Sequence, residues 1–261
     1  MIAIIGGSGL TNLDGLTITR RQVLRTPYGE PSGALTFGQL AGHDVVFLAR
    51  HGYGHTIAPH EINYRANTWA LKHAGVTRVI AVASVGGIRA AFGPGALVVP
   101  DQIIDYTYGR KHTMYEGPDA PVTHIDFTWP YAAAMRALLL AAARDAGETV
   151  HDGGVYAAMQ GPRLETAAEI ARLERDGCDL VGMTGMPEAA LARELGLEYA
   201  GLSVVVNHSA GKGDSALAIS VEHLGAVMQQ TMTRVQRILE RAVAAAGGQE
   251  QQAQEKRAPE K

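Results

Sequence analysis

Residues 179–211, DLVGMTGMPEAALARELGLEYAGLSVVVNHSAG, decide the fold. The stretch reads as strand, loop, helix, strand and loop, with polar side chains only where strands end. Asp179-Leu180-Val181 is a short apolar run, and Met183-Thr184-Gly185-Met186 is a turn-rich loop. Pro187-Glu188 reads as a helix start, because proline's missing N–H costs nothing in the first turn and an acid there suits the helix dipole. Residues 201–206, GLSVVV, form a β-branched-rich run of the kind expected of a parallel strand buried on both faces. Asn207-His208-Ser209 follows its carboxyl end. Ligands of open α/β sheets sit outside such ends, so both loops of the stretch are expected to face one site.

The same alternation extends outward. Strands are expected over 1–5, 45–49, 78–85 and 154–159, and over 97–104 with an interruption at Pro100. Helices are expected over 63–74, 131–146 and 164–175, with a long closing helix over 223–245. Interleaved β and α units predict an α/β fold: three layers, with helices on both faces of a central mixed, mostly parallel sheet. Residues 106–129, rich in Pro, Asp and His, are the longest irregular stretch and a candidate functional excursion. One domain over 1–246 is expected, followed by a disordered polar tail over 247–261 (GGQEQQAQEKRAPEK).

A net charge of −3 provides no general basic field for nucleic acid. Cys178 is the sole cysteine, which excludes an intramolecular disulfide framework and fits a reducing compartment. The N-terminal MIAIIGGSG lacks a cationic leader and runs into a glycine turn, so it reads as a first strand rather than a signal peptide. No run has the roughly 18 apolar residues that a membrane span needs. A soluble, cytoplasmic protein is expected.

Candidate chemistry lies where strands end. Gly6-Gly7-Ser8-Gly9 fails the dinucleotide fingerprint, whose last glycine would fall on Asn12, and no P-loop lysine follows. It remains a turn whose N–H groups and Ser8 hydroxyl could hold an anion. Arg50 follows the second strand, where a guanidinium can grip phosphate oxygens with two N–H groups. His51, His55 and His60 match no common zinc spacing, so no metal is expected. Ser8, Arg50 and Thr184 each follow an expected strand and Ser84 stands at the end of one, and together they would form an oxyanion cradle. The Leu224–Val227–Met228 face of the last helix is expected to be core, Glu188 a helix-start residue, and Glu165 a helix cap or site-border residue.

Several longer motifs then agree in order and spacing: IIGGSG (4–9), TPYG-x-PS (26–32), LARHG-x-x-H (48–55), NYRAN-x-WALK (63–72), QGPR-x-ET-x-AE (160–169) and VGMTGMPEAALA (181–192). The chain resembles the purine nucleoside phosphorylase and methylthioadenosine phosphorylase superfamily over 2–243. The resemblance implies cleavage of a purine nucleoside by inorganic phosphate, without cofactor or metal, in a homotrimer. It implies phosphate-binding roles for Ser8, Arg50, His51, Ala83, Ser84 and Thr184, and ribose packing by Met183. Asn207 and Ser209 fall on the base-reading pair with His208 between them, and Asn207 is the catalytic candidate. Val221 and His124 match positions near the 5′ substituent, His124 reaching in from a neighbouring subunit.

Methylthioadenosine enzymes carry carboxylates where this chain has Asn207 and Ser209. An acid can protonate N7 of adenine, which an amide cannot readily do. An amide can hydrogen-bond the O6/N7 edge of a 6-oxopurine, which spreads the leaving charge itself, although it can also pair with N6 and N7 of adenine. That departure predicts an inosine-like base. An apolar Val221 predicts a 5′-methylthio group, since a hydroxyl would be left unpaired there. Competing expectations are a general inosine/guanosine phosphorylase, a methylthioadenosine phosphorylase, a non-catalytic nucleoside-binding protein and an NAD(P) oxidoreductase, the last weakened at Asn12. The partners expected are a nucleoside and phosphate, with neither nucleic acid nor membrane.

Overall fold

The computed structural model describes residues 1–118 and 120–255, with the backbone alone for Val221 and 250–255. The chain opens with β1 (Ile2–Gly6), β2 (Thr17–Gln22), β3 (Leu35–Leu40), β4 (His43–Ala49), α1 (Tyr64–His73) and β5 (Arg78–Gly87). It continues with β6 (Leu97–Val99), β7 (Gln102–Asp105), α2 (Ala133–Asp145), β8 (His151–Asp152), β9 (Val155–Ala158) and α3 (Ala167–Arg175). The last elements are β10 (Leu180–Gly182), α4 (Gly185–Glu194), β11 (Glu198–His208), a short 3₁₀ turn (Gly213–Ser215) and α5 (Val221–Glu255).

One mixed sheet runs through these strands, and its spine is β5. The first half of β5 pairs in parallel with β1, from Arg78 to Ala81, and β1 pairs in parallel with β4. On its other edge β5 pairs in parallel with β11 over almost its whole length. At its carboxyl end β10 takes the place of β1, pairing antiparallel with Gly86 and Gly87. The sheet therefore forks. Between the last β1 pair at Ala81 and the first β10 pair at Gly86, one edge of 82–85 has no strand neighbour. Backbone groups left free at such a gap need other partners, and the gap is where the cleft described below opens.

Helices cover both faces. Met135, Leu138 and Leu139 of α2 and Val235, Ile238 and Leu239 of α5 pack with Ile4, Ile80, Leu202 and Val204 in one core cluster. Ala70 and Leu71 of α1 and Ala189 and Ala192 of α4 pack with Ile5, Val79 and Val205 in the other. Both clusters draw on β1, β5 and β11, so those strands are buried on two faces, as unbroken apolar runs require. The three-layer α/β/α expectation holds. Among the described residues no helix is long and apolar enough to cross a membrane.

Two parts of the fold differ from the sequence reading. An antiparallel extension, β2–β3–β4, builds one edge of the sheet. All six residues of β2 are exposed, so it lacks the apolar alternation that marks a half-buried strand. The disordered tail expected from Gly247 is also corrected, because α5 continues to Glu255. Residues 246 and 249 of α5 have an anchor the local composition does not show: Arg78 donates to the carbonyl of Ala246 at 3.1 Å and to Gln249 Oε1 at 3.3 Å. Residues 256–261 of that expected tail lie outside the described residues.

The tight end of β5 makes a stability test. A methyl at Gly87 would stand 1.7 Å from the Phe92 carbonyl oxygen, whereas one at Gly248 in α5 would meet nothing within 4 Å. Gly87→Ala should lose about 1–3 kcal/mol to overpacking, and Gly248→Ala should gain up to about 1 kcal/mol of helix propensity. Urea titrations of both variants check the pair, and a neutral Gly87→Ala would contradict the packing described.

Candidate active site

Three neighbouring strand ends build one end of the cleft. Because β1 pairs in register with β4, Gly6 lies opposite Ala49, and the turn after β1 stands beside Arg50. The Arg50 N–H continues the ladder onto the Gly6 carbonyl at 3.0 Å. Glycine is needed there for room: a methyl on Gly7 would lie 2.7 Å from the Val82 carbonyl and 3.0 Å from Arg50 Nη1. Ser8, Ala83 and Ser84 line the same space, a cleft of about 470 Å³.

Arg50 is 1% exposed and is held on three sides. Its Nε and Nη2 donate to the two carboxylate oxygens of Glu188 at 2.7 and 2.9 Å, and Nη1 donates to the Val82 carbonyl at 2.9 Å. That carbonyl belongs to the unpaired edge of β5. Tyr199 of β11 donates its hydroxyl to Glu188 Oε1 at 2.8 Å. Burial works against the guanidinium charge, but the Glu188 carboxylate outweighs it through charge and hydrogen bonds, and the Arg50 pKa is raised. Three of the five N–H groups are engaged, leaving two for a ligand beside Gly7.

His51 is buried next to it, with Nδ1 2.9 Å from the Ile57 carbonyl. A carbonyl only accepts, so Nδ1 carries the proton and the neutral ring keeps an accepting lone pair on Nε2. Burial, then the charge of Arg50, pushes the His51 pKa down to about 4. The His55 ring lies 4.5 Å away, and His55 Nε2 is 3.4 Å from Ser8 Oγ. His60 is exposed. Among the described residues no group of three His, Cys, Asp or Glu side chains is arranged to hold a metal ion.

The opposite end is built by the carboxyl end of β11. Its register against β5 slips between Val205 and Asn207, and both Val206 and Asn207 line the cleft. Asn207 Nδ2 donates to the His208 carbonyl at 2.6 Å, which fixes which end of the amide points there. Ser209 is 2% exposed, and its Oγ has no hydrogen-bond partner. It lies 2.8 Å from where a methyl on Gly86 would be, so glycine at 86 keeps the space in front of it open. Met183 and Thr184, between β10 and α4, close the middle of the cleft.

Ser8, Arg50, His51, Ala83, Ser84, Met183, Thr184, Asn207 and Ser209 thus share one cleft. His208 does not join them. Its ring turns to the other side of the strand, where Nδ1 meets Asp214 Oδ1 at 2.7 Å. His124 is exposed and lies outside the cleft of its own chain. Val221 opens α5, and its side chain lies outside the described residues.

A family model described as the phosphorylase superfamily matches residues 1–244. The chain belongs to the phosphorylase superfamily. The chain is 54% identical over 243 residues to a probable S-methyl-5′-thioinosine phosphorylase of Pseudomonas syringae, covering 93% of this chain and 98% of that one. It is 46% identical over 224 residues to a 6-oxopurine nucleoside phosphorylase of Pyrococcus furiosus, covering 84% and 83%. A solved methylthioadenosine phosphorylase of Schistosoma mansoni in complex with adenine superposes with a TM-score of 0.90 at 33% identity, covering 95% and 92%.

Within this phosphorylase fold Glu188, Leu224 and Arg110 have roles the sequence reading misses, and Glu165 takes one of its two expected places. Glu188 stands in the first turn of α4, as expected, but is buried there as the partner of Arg50. Glu165 is not a cap: Thr166 caps α3 in a capping box with Glu169, and Glu165 lines the cleft. Burial, then the charge of Glu169, raises its pKa. A methyl on Gly211 would touch Ala167 at 2.8 Å, so the start of α3 lies against the loop after Ser209, at the same end of the cleft. Leu224 is partly buried against the core and also lines the cleft, while Val227 and Met228 are buried as expected. Arg110, within the irregular excursion, is 8% exposed and bound to loops on two sides of Met183. No spacing or composition marks it.

The neutral state of His51 has a measurable consequence. An unfolded histidine titrates near 6.5, and folded His51 near 4. Between those values the unfolded chain binds more protons, so stability rises with pH across that window and is lost as pH falls through it. The contribution is about 3 kcal/mol. Urea midpoints from pH 7 to 4 should therefore fall less for His51→Gln than for the native chain. Equal falls would show that His51 is not held neutral.

Proposed function

We propose that this chain cleaves S-methyl-5′-thioinosine with inorganic phosphate, releasing hypoxanthine and 5-methylthioribose 1-phosphate. The observation that carries the base assignment is the pairing of an amide, Asn207, with an unpartnered buried hydroxyl, Ser209, at one end of the cleft. The name of the Pseudomonas syringae relative agrees with this reading.

In this reaction a phosphate oxygen forms a bond to C1′ as the C1′–N9 bond breaks, and the bonding pair leaves with the purine. The sugar passes through an oxocarbenium-like state, as in glycoside cleavage. Phosphate held by Ser8, Arg50, His51, Ser84 and Thr184 lies near the developing cation and gains from proximity. His51, neutral with Nε2 free, accepts from a protonated phosphate oxygen. Asn207 donates its remaining N–H to the O6/N7 edge, where negative charge grows. A 6-oxopurine also presents N1–H, which the Glu165 carboxylate can accept, whereas adenine presents only a lone pair at N1. The departing base takes its proton from solvent. Phosphate is the only co-substrate, and the reading calls for no cofactor, metal or protein nucleophile.

Leu224 and Ile219 line the cleft and give the 5′ group an apolar wall. Val221 is assigned to the same wall. We read the protein as a cytoplasmic homotrimer, with His124 completing a neighbour's 5′ site. Tyr108, Val122 and Trp129 expose large apolar surface along the same excursion, which suits burial between subunits. A general 6-oxopurine nucleoside phosphorylase is the second reading, favoured by the Pyrococcus furiosus relative.

A panel of methylthioinosine, inosine, methylthioadenosine and adenosine with phosphate separates these readings. We expect kcat/KM for methylthioinosine to exceed that for inosine by about 100-fold, the usual reach of an apolar pocket against a hydroxyl. Methylthioadenosine should be poorer than methylthioinosine. Inosine equal to methylthioinosine would favour the second reading, and equal use of the adenine and hypoxanthine nucleosides would overturn the role of Asn207 and Ser209.

A further inference from the structure

The charges at the phosphate end do not add up to an anion site by themselves. Arg50 is matched by Glu188 in a buried bidentate pair, so the two contribute no net charge. His51, with its pKa near 4, is neutral at pH 7. Ser8, Ala83, Ser84 and Thr184 bring only dipoles. A phosphate dianion entering this cleft would lose its hydration to groups whose charges sum to zero, and burying an unmatched anion is costly.

One buried cation nearby has no anionic partner. Arg110 donates Nη1 to the carbonyls of Met183 at 2.9 Å and Met186 at 2.6 Å, and to the Tyr64 hydroxyl at 3.2 Å. Nη2 donates to the carbonyls of Met159 at 3.1 Å and Gln160 at 2.8 Å, and Nε to Gln160 Oε1 at 3.2 Å. Every partner is neutral, and among the described residues no carboxylate lies within ion-pair distance of Arg110. Thr184 and Gly185 lie between the two methionines whose carbonyls it holds, and Thr184 lines the cleft. An arginine keeps its charge even when buried. Through a low-dielectric wall that charge reaches the cleft with little screening.

We infer that Arg110, behind the Met183–Met186 loop and out of reach of the ligand, supplies the net positive charge that draws phosphate into the cleft. Arg50 then orients the anion through its two spare N–H groups, while Glu188 cancels its charge. The inference rests on the reading of this cleft as a phosphate site. It makes Arg110 a positioning residue for the loop and the source of the site's field.

Calorimetric titration of inorganic phosphate into the native chain and its variants separates charge from contact. Arg110→Met removes the charge and should weaken phosphate binding by about tenfold, leaving hypoxanthine binding unchanged. Arg110→Lys keeps the charge but loses the fork of carbonyl contacts, and should stay within about threefold of the native chain. Glu188→Gln unmasks Arg50 and should tighten phosphate binding. Phosphate binding within twofold of native in Arg110→Met would overturn the inference. So would Arg110→Lys as weak as Arg110→Met, which would leave only the contacts. Should Arg110→Met fail to fold, Arg110→Gln replaces it, and Glu188→Gln that binds no tighter overturns the inference independently. A native chain that binds no phosphate overturns both the inference and the reading of the cleft, whereas the Arg110 results alone leave the cleft assignment standing.

Discussion

The buried pair of Arg50 and Glu188 is the constraint on which the rest of the structure turns. It joins the end of β4, the first turn of α4 and, through the Tyr199 hydroxyl, the start of β11. It also answers the fork in the sheet, because Arg50 Nη1 takes the Val82 carbonyl that β1 leaves free. Breaking such a pair by removing one partner typically costs about 3–5 kcal/mol, since the other charge stays buried. An apolar replacement for both could be as stable, so the pair is better explained by what it positions. It holds a planar donor beside a glycine turn with two N–H groups unspent.

Around that pair the cleft divides its work by chemistry. The phosphate end offers donors with balanced charge and a neutral histidine, and the base end offers an amide, a free hydroxyl and one carboxyl. In the proposed reaction these groups would stabilise charge as it develops while phosphate itself attacks the sugar. The chain shares its scaffold with a methylthioadenosine phosphorylase, and in the proposed function Asn207 and Ser209 would meet a different purine edge.

Much of this was legible in the sequence wherever local pattern and tertiary role coincide. The runs in β1, β5 and β11 are buried on both faces, so their apolar character announces them. Ser84 and Asn207 stand among the last residues of β5 and β11, and Ser8 and Ser209 on the loops just after β1 and β11. The exposed strand β2 was not legible, because its only reason to be a strand is its pairing with β3. Glu188 resembled a helix-start acid, since Pro187-Glu188 satisfies the local rule; that its carboxylate meets Arg50 is a property of packing between residues 138 positions apart. His208 sits between two cleft residues in sequence, yet strand alternation carries its ring to Asp214. Arg110 lies in an irregular stretch with no period, and only the closing of two loops around it gives it a place. Sequence shows what an element buries more readily than what two distant elements bury together.

In the proposed reaction phosphate, held at the strand ends, is the nucleophile. The direct measurement is cleavage of methylthioinosine with phosphate labelled by ¹⁸O at every oxygen, followed by mass analysis of the sugar product. The expected product is a pentose 1-phosphate that retains all the label, including the oxygen bonded to C1. A free pentose with an oxygen from water, or a product formed without phosphate, would contradict it.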